Sequence, residues 1–514
     1  MAMLALIYSR LPLGTALEIG GDEGYELMKG FLCSKGFAMY KDIWCDQPPL
    51  YPNLLGYAFQ MFGPSILVAR LVAVAFGMVM LAAFYQLVRQ STGAWAALLA
   101  GFFLLASPSV LLLSAAVMVE VPAIGTALVS AWLALRWAKR RHWPWLVAAG
   151  VMMGLALEIK LTAVMVLPAI LAQIVVSGWD NAVKAVASRQ DVRARSKAKE
   201  LIAGPLRACV WAVLQFGLAA AVAFLAIAWI WGEGSWQSSW RSHTQVQHVA
   251  GLGSPEDYRF QGSLLLKHSE CLLGAVIALY MLGRLGRWRE LLFPVVMLAT
   301  GLTVHSLHRP FWGLYYLHLA VPLAWLSGVG FTELLKAAQI LFWTGRTGVP
   351  FSTWGKCLAG AVLGALALAV SEVRIEAAVK SIRQHPKVSG SALLAKMRQY
   401  SPRTHWVYAQ PVIYPFHAGL PVPPKIAVVM LKRYWSGQIT PVEIVDVCRQ
   451  YKPEQLVLYR PRAGGEWTEL LKTDYRQVYE DANCLLYVSK GILSEVGAGE
   501  SSARSDTSST RALP

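Results

Sequence analysis

A short stretch near the N-terminus, GGDEGYELMKGFLCSKGFAMYKDIWCDQPPLYP (residues 20–52), concentrates side chains that could do chemistry. It places the carboxylates of Asp22, Glu23, Asp42 and Asp46 in a chain that is 56% hydrophobic and only 15% charged. A carboxylate close to a lipid bilayer is costly unless it has a chemical task or a charged partner. The stretch is therefore the first candidate for a functional site.

Asp22 and Glu23 stand at the start of a predicted helix. The apolar residues that follow at helical spacing are Tyr25, Met28, Phe31 and Leu32. That pattern favours a helix lying in the membrane interface. Carboxylates are stabilised at a helix N-terminus by the helix dipole, so Glu23 is interpreted first as a capping residue. Asp22 is interpreted as a functional carboxylate.

Asp46 comes directly before two prolines in the segment CDQPPLYP. Proline ends a helix and fixes the backbone of a turn. Such a rigid turn could direct the Asp46 side chain back toward Asp22. Asp46 could equally be a carboxylate that only caps the turn.

Four more ionisable residues interrupt apolar runs: Arg70, Glu120, Glu158 and Lys160. Each costs roughly 2.5–3.5 kcal/mol at mid-membrane on insertion scales, and less near an interface. Glu158 and Lys160 could neutralise one another, and Arg70 is close enough to a helix start to extend its guanidinium to the interface. Alternatively, side chains from the outer ends of different helices could face one site.

Two later loops carry histidine, arginine and aromatic residues. WRSHTQVQHV contains His243, and HSLHRPFWGLYYLHLAVPLAW contains Arg309, Tyr315 and Tyr316. Aromatic rings stack on sugars, and arginine forms bidentate contacts with phosphate. A concave face of this composition suits a sugar phosphate, although aromatic residues are also enriched at membrane interfaces without any ligand.

Long apolar runs must position these side chains. The run SILVARLVAVAFGMVMLAAFYQLV is long enough to cross a bilayer, which takes about 20 residues. We predict a polytopic α-helical membrane protein of about 11 transmembrane helices. They lie near residues 1–17, 65–88, 94–113, 118–136, 144–157, 161–177, 208–231, 263–283, 290–304, 313–335 and 356–374.

The basic residues fix an orientation. When loops are assigned alternately to the two sides with the N-terminus inside, the inner loops hold more than twice as many Lys and Arg residues as the outer loops. Cytoplasmic loops retain such an excess, so the stretch at 20–52 is predicted to be extracytoplasmic. The net charge of +17 is explained by topology, and nucleic acid is not an expected partner.

The character of the chain changes after about residue 377. HWVYAQPVIYPF and QLVLYRPR favour strands, TPVEIVDVCRQYKPE favours a helix, and YRQVYEDANCLLYVSK favours a strand pair. We predict a membrane domain over 1–376, a small extracytoplasmic α/β domain over 377–490 and a disordered tail over 491–514. Cys448 and Cys484 could pair or remain two buried thiols.

Several of these elements resemble one known family. Asp22-Glu23, YKDIWCDQPPLYP, Phe62-Gly63 and the helical Arg70 resemble the GT-C polyprenyl-phosphate-sugar glycosyltransferases, including the protein O-mannosyltransferases (family 39) and the aminoarabinose transferases. VMVEVPA, EIKLTAV, WRSHTQVQHV and HRPFWGLYYLHLAVPLA follow in the family's order. The resemblance covers most of residues 20–330 and implies a GT-C-like catalytic membrane domain.

The resemblance implies a role for individual residues. Asp22 matches the base that deprotonates an acceptor hydroxyl, and Glu120 matches a second catalytic carboxylate that is usually aspartate. The leaving phosphate departs as an anion and needs positive charge. The candidates for that contact are Arg70, Lys160 and Arg309.

Further positions match metal and substrate contacts. Asp46 and His243 resemble a pair that shares a divalent metal in the aminoarabinose transferases, which makes a metal ion a candidate cofactor. A lysine follows that acid in those enzymes, whereas this chain has Gln47, so the phosphate contact there is in question. The candidates for substrate binding are Glu23, Asp46, Tyr315 and Tyr316.

Together these features predict an inverting glycosyltransferase of the plasma membrane. It would move a sugar from a polyprenyl-phosphate donor to the hydroxyl of a lipid, glycan or protein on the extracytoplasmic face. The alternative is a transporter or lipid-handling protein without transfer chemistry. A transporter would place its polar residues near mid-membrane, whereas here they gather at the outer ends of the predicted helices.

Overall fold

The computed structural model describes residues 2–188, 198–232, 234–245, 249, 251–344, 351–460 and 465–494. In these ranges the chain is mainly helical, with one small sheet near its C-terminal end. The helices are α1 (Ala2–Ser9), α2 (Glu23–Ser34), α3 (Leu50–Phe62), α4 (Ile66–Thr92), α5 (Ala94–Ala106), α6 (Pro108–Ala115), α7 (Glu120–Arg140), α8 (Trp143–Ile159), α9 (Leu167–Ser188), α10 (Ala198–Trp231), α11 (Ser235–Thr244), α12 (Ser263–Leu266), α13 (Ser269–Arg284), α14 (Leu292–Leu307), α15 (Leu317–Thr344), α16 (Phe351–Gln384), α17 (Ala392–Tyr400), α18 (Ile413–Ala418), α19 (Leu431–Trp435), α20 (Pro441–Tyr451) and α21 (Thr468–Asp474).

Five helical segments in the described ranges are long and apolar enough to cross a bilayer, and α5 with α6 makes a sixth if that bent pair is one span. The five are Ile66–Thr92, Glu120–Arg140, Leu161–Asn181, Ala203–Trp231 and Gly313–Gln339. The predicted number of about 11 is larger than this criterion supports. Helices α8 and α14 are apolar but have fewer than the 18 residues that the criterion requires. The segment at 1–17 contains only the eight-residue α1.

The apolar helices pack closely where small residues allow it. A side chain at Gly150 of α8 would place its Cβ only 2.3 Å from the carbonyl oxygen of Phe216 in α10. At Gly154, one turn later, the same atom would lie 2.4 Å from the carbonyl oxygen of Ala220. Small residues four apart let two helix backbones touch in an apolar environment. The GVMMG segment therefore fixes α8 against α10.

The predicted helix after Asp22 is present as α2, but it is more enclosed than an interfacial helix with one buried face. Its buried residues include the charged Glu23, Glu26 and Lys29 as well as the apolar ones. The helix packs against α3 on one side and α18 of the C-terminal region on another. A helix with polar groups buried on both faces needs partners for them, and those partners build the site.

The C-terminal region contains a four-stranded sheet with the order β1-β2-β4-β3. The strands are β1 (Val407–Ala409), β2 (Gln455–Tyr459), β3 (Tyr475–Glu480) and β4 (Cys484–Ser489). β1 and β2 are parallel, and the other two pairs are antiparallel. The predicted strand at 405–416 is only partly correct, because its second half turns into α18 after Gln410–Pro411.

The cysteines and the start of the C-terminal region can be compared with the sequence predictions. Cys448 and Cys484 are both buried free thiols, so they do not pair. Helix α16 continues to Gln384, beyond the predicted domain boundary at 376. Most of the predicted disordered tail lies outside the described residues.

Candidate active site

A cavity of about 200 Å³ lies where α2, α7 and α19 meet. It is bounded by segments from the first loop, the middle of the chain and the C-terminal region. Its lining residues are Asp22, Glu26, Asp46, Gln47, Met118, Val119, Glu120, Lys160, Trp312, Leu314, Tyr315, Met430, Leu431 and Lys432. The structure thus brings five of the sequence-predicted site residues to one place: Asp22, Asp46, Glu120, Lys160 and Tyr315.

Glu120 and Lys160 form a buried ion pair on one wall of this cavity. Glu120 is the first residue of α7, where the helix dipole stabilises a carboxylate. Lys160 has an extended backbone at the break between α8 and the short 3₁₀ helix Leu161–Val166. Its ammonium lies 5.0 Å from the centre of the Tyr315 ring, over its face. The pair places one positive and one negative group beside an aromatic surface.

Asp46 lies on another wall and is almost fully buried. Its backbone is held by α11, because the hydroxyl groups of Ser238 and Ser239 donate to the carbonyl oxygens of Cys45 and Asp46 at 2.8 and 3.0 Å. Burial raises the pKa of the Asp46 carboxyl, but nearby positive charge, first that of Lys432 and also that of Lys29, outweighs burial and lowers the pKa to about 2. Asp46 is therefore ionised at neutral pH.

Glu26 lines the same cavity and was not among the predicted residues. Its Oε1 accepts a hydrogen bond from Lys29 Nζ at 2.7 Å, and both side chains are buried. Asp22, Glu26 and Lys29 are spaced at i, i+4 and i+7, which puts them on one helix face. That spacing could have indicated a polar helix face with Glu26 on it. The apolar residues at helical spacing favoured an interfacial helix instead.

Asp22 differs from the other acids of the cavity. Glu26, Asp46 and Glu120 each contact a lysine, whereas within the described residues the Asp22 carboxylate forms no ion pair and does not cap α2. It is accessible to solvent. The surrounding protein, followed by the charges of Glu120 and Asp46, raises the pKa of Asp22 against the opposing effect of two lysines. Asp22 is thus the acid of this cavity that combines exposure to solvent with the absence of an ion pair to a described lysine.

Asp22 also borders a second cavity, of about 270 Å³. This cavity lies between the start of α2 and the C-terminal region. Its lining residues are Glu18, Gly21, Asp22, Gly24, Tyr25, Gln410, Pro411, Val412, Ile413, Val429, Met430, Leu431, Tyr434 and Tyr459. Asp22, Met430 and Leu431 line both cavities, so the Asp22 carboxylate stands where the two spaces adjoin.

Lys432 of α19 fills the position between the two predicted metal ligands. Its Nζ lies 3.4 Å from Asp46 Oδ2 and 3.4 Å from His243 Nε2. Within the described residues no group of three or more His, Cys, Asp or Glu side chains could hold a metal ion. The predicted pair of Asp46 and His243 does come together, but the residues present do not fit a divalent metal.

The predicted contacts of Arg70 and Glu23 with substrate do not agree with the geometry. Arg70 is fully buried and forms a bidentate pair with Glu23, with Nε–Oε1 at 2.8 Å and Nη2–Oε2 at 2.7 Å. Its Nη1 donates to the carbonyl oxygens of Leu13 and Ala16. Neither residue lines the cavity. The two charges connect α4, α2 and the N-terminal segment, which is a structural task.

Two more predicted residues lie away from the cavity. Arg309 pairs with Glu256 on the surface. Tyr316 is buried outside the cavity, with its ring stacked on His268 at 4.7 Å. Tyr315 alone of the tyrosine pair reaches the lining, because adjacent residues of the 3₁₀ helix Gly313–Tyr316 point in different directions.

Comparisons with known proteins add to this geometry. Residues 46–187 match the sequence model of the dolichyl-phosphate-mannose-protein mannosyltransferase family. No curated protein sequence matches the chain. The structure is similar to that of ArnT from Cupriavidus metallidurans bound to undecaprenyl phosphate, with a TM-score of 0.57 and 15% identity over 95% of this chain and 96% of ArnT.

Other solved structures give the same result. The apo form of the same ArnT matches with a TM-score of 0.56 and 14% identity, over the same shares of the two chains. The oligosaccharyltransferase of Archaeoglobus fulgidus, tethered to an acceptor peptide, matches at 0.50 with 12% identity, over 95% of this chain and 73% of that one. The chain is therefore an integral membrane protein with the fold of the GT-C glycosyltransferases, and the resemblance seen in its sequence is confirmed at the level of the fold.

Proposed function

We propose that this protein is an inverting glycosyltransferase that moves a sugar from a polyprenyl-phosphate donor to an acceptor hydroxyl. The family whose model matches residues 46–187 is named for mannosyl transfer from dolichyl phosphate to protein. ArnT, which has the same fold, was solved bound to undecaprenyl phosphate. The excess of Lys and Arg in the predicted inner loops supports a site on the extracytoplasmic face of the plasma membrane. The observation that carries the proposal is Asp22, the acid without a lysine partner where two cavities adjoin.

The first cavity has the polar groups that a sugar requires. Three buried carboxylate oxygens in its lining have no hydrogen-bond partner among the described residues: Glu26 Oε2, Asp46 Oδ1 and Glu120 Oε2. A buried acceptor without a donor is unfavourable, and sugar hydroxyl groups are donors. Tyr315 and Trp312 add aromatic surface on which a pyranose ring can stack. We place the donor sugar here.

The transfer step follows from the position of Asp22. The acceptor hydroxyl gives its proton to the Asp22 carboxylate while its oxygen forms a bond to the anomeric carbon from the face opposite the phosphate. The bond between that carbon and the phosphate oxygen breaks, and the polyprenyl phosphate leaves with the electron pair. Lys160 and Lys432 are the cations of the cavity that can stabilise this anion as it forms.

The acceptor approaches Asp22 from the second cavity in this proposal. Its lining includes Tyr25, Tyr434 and Tyr459, and it opens between α2 and the C-terminal region. Tyrosine offers both an apolar face and a polar hydroxyl group, a combination that suits glycans and other polyhydroxylated acceptors. Separate entry routes for the two substrates would bring the acceptor oxygen and the anomeric carbon together beside one carboxylate.

Gly21→Leu provides a test of this acceptor route. Gly21 lines only the second cavity, and a Cβ there meets no atom within 4 Å, so a larger side chain occupies open space. We expect the KM for the acceptor to rise on the order of tenfold while the Kd for undecaprenyl phosphate stays unchanged. Gly390→Leu, also in open space but outside both cavities, is the matched control. A Gly21→Leu variant with a normal KM for the acceptor would remove the second cavity from the mechanism.

The function itself is tested by transfer from a panel of labelled undecaprenyl-phosphate sugars in reconstituted membranes, measured across pH. Asp22 acts only when ionised, and its pKa is raised by desolvation from the surrounding protein and by Glu120 and Asp46, with Lys160 and Lys29 opposing. The rate should therefore fall as pH decreases, starting at a higher pH than the ordinary aspartate value of about 4. At higher pH, where Asp22 is fully ionised, the transfer rate should reach a plateau.

Glu18 serves as the control for this profile. It borders the second cavity, and burial followed by the charges of Glu23 and Asp22 raises its pKa to about 7. Glu18→Gln should keep the acid limb, because the group whose ionisation limits the rate is Asp22 and not Glu18. Disappearance of the limb in that variant would assign the titration to Glu18. Absence of transfer from every donor would favour the transporter alternative.

A further inference from the structure

The strongest unassigned feature is Lys432, which the C-terminal region inserts into the first cavity. Only 11% of its side chain is exposed, although lysine usually keeps its ammonium in water. The ammonium contacts Asp46 Oδ2 and His243 Nε2, both at 3.4 Å. A buried lysine between a carboxylate and an imidazole occupies the position where a metal ion bound to those two groups would have to lie.

The protonation of His243 agrees with an ammonium at this position. His243 Nδ1 lies 2.8 Å from the carbonyl oxygen of Ser239, one turn earlier in α11. A carbonyl oxygen only accepts, so Nδ1 carries the hydrogen and Nε2 presents its lone pair. That lone pair faces Lys432, which has three donors and no acceptor. The imidazole is thus already partnered by a cation that belongs to the chain.

The adjacent residue Gln47 supplies no charge at this end of the cavity. Its side-chain amide donates to Asp46 Oδ2 at 2.8 Å. Lys160, the second lysine of the lining, is paired with Glu120 on another wall. Among the described lining residues, Lys432 is therefore the cation available near Asp46 for a phosphate.

Lys432 is held in place by contacts that do not involve its own charge. Tyr25 donates to the carbonyl oxygen of Val429 at 2.8 Å, and Trp44 donates to Gln438 Oε1 at 2.8 Å. The ring of Trp435 stacks on Trp312 with centroids 6.2 Å apart. These contacts lie on both sides of Lys432 in sequence, so docking of the segment does not depend on the Lys432 ion pair.

We propose that Lys432 replaces a metal ion at the Asp46–His243 pair and donates a hydrogen bond from its ammonium to the phosphate of the lipid donor. The inference rests on the proposed function for the identity of that lipid. It makes phosphate binding independent of divalent metal, and it makes the C-terminal region part of the donor site. Asp46 and His243 orient the ammonium, and the remaining N–H faces the phosphate oxygen.

The test measures binding of undecaprenyl phosphate and of uncharged undecaprenol to the purified full chain, with Lys432→Met as the variant. Methionine keeps much of the side-chain volume and removes the charge. A charge-assisted hydrogen bond predicts that the Kd for undecaprenyl phosphate rises about 10- to 100-fold, while the Kd for undecaprenol is unchanged. Lys425→Met, an exposed lysine of the same region, is the control and should affect neither. Chelator or added Zn²⁺ should leave the wild-type Kd unaltered.

Three results would overturn the inference. The first is an unchanged Kd for undecaprenyl phosphate in Lys432→Met. The second is an equal loss of affinity for both lipids, which indicates a purely structural role. The third is a wild-type affinity for undecaprenyl phosphate that depends on metal. Because the readout is binding, it is separate from transfer. Loss of phosphate discrimination in Lys432→Met, together with no transfer from any donor by the wild-type protein, would support the lysine site and reject the proposed reaction.

Discussion

Asp22→Asn should abolish glycosyl transfer while the protein stays folded and still binds undecaprenyl phosphate. Asparagine keeps the size of the side chain but cannot take a proton from the acceptor hydroxyl. General-base assistance contributes about 10²–10⁴-fold, so kcat should fall by that factor. Because Asp22 forms no ion pair within the described residues, its neutralisation leaves no buried charge behind. Transfer is measured as the amount of labelled sugar that is incorporated into the acceptor.

Asp42→Asn is the matched control for this experiment. Asp42 belongs to the same loop and lies outside both cavities, and its Oδ2 accepts a hydrogen bond from the Ala38 amide. An asparagine oxygen can keep that bond, so transfer should be unaffected. Wild-type kcat in Asp22→Asn would remove Asp22 as the base. Equal losses in both variants would indicate a disturbed loop.

Arg70→Met should destabilise the protein strongly, whether or not substrate is present. The Glu23 carboxylate is fully buried, and the bidentate contact with Arg70 supplies half of its hydrogen bonds, the others coming from the amides of Ile19 and Val117. Breaking a buried pair by removing one partner costs about 3–5 kcal/mol. Thermal unfolding in detergent measures the effect.

Two further variants define the cause of that loss. Arg449→Met removes the surface pair with Asp446 and should cost no more than about 1 kcal/mol. In the double variant Arg70→Met with Glu23→Gln, part of the stability should return, because no unpaired charge stays buried. The folded fraction of Arg70→Met should bind undecaprenyl phosphate normally. Weakened binding at unchanged stability would restore the phosphate contact inferred from sequence.

The residues that sequence reasoning identified correctly as neighbours share one property. Asp22, Asp46, Glu120 and Lys160 are charged residues whose positions within an apolar chain are unfavourable without partners. Such positions can be recognised one residue at a time. The long apolar helices and the short apolar runs of β2 and β4 could likewise be predicted, because each is a local pattern of the sequence.

The pairing of charges could not be predicted in the same way. Arg70 and Glu23 are 47 residues apart, and Lys432 and Asp46 are 386 apart. Sequence shows that a buried arginine needs a carboxylate, but several carboxylates were available, and only packing selects one. Lys432 lies in a segment, LKRYW, that resembles an ordinary basic surface helix. Only the packing of α19 against α11 brings Lys432 to Asp46 and His243.

The late position of α19 in the chain has a consequence for biosynthesis. Met430 and Leu431 line both cavities and Lys432 lines the first, yet all three are made after every membrane-spanning helix of the described ranges. A nascent chain that has inserted its helices but has not folded its last segment would leave Asp22 in bulk water. Such an intermediate would also lack the contacts of Lys432 with Asp46 and His243, so the first cavity is complete only after the last segment has folded.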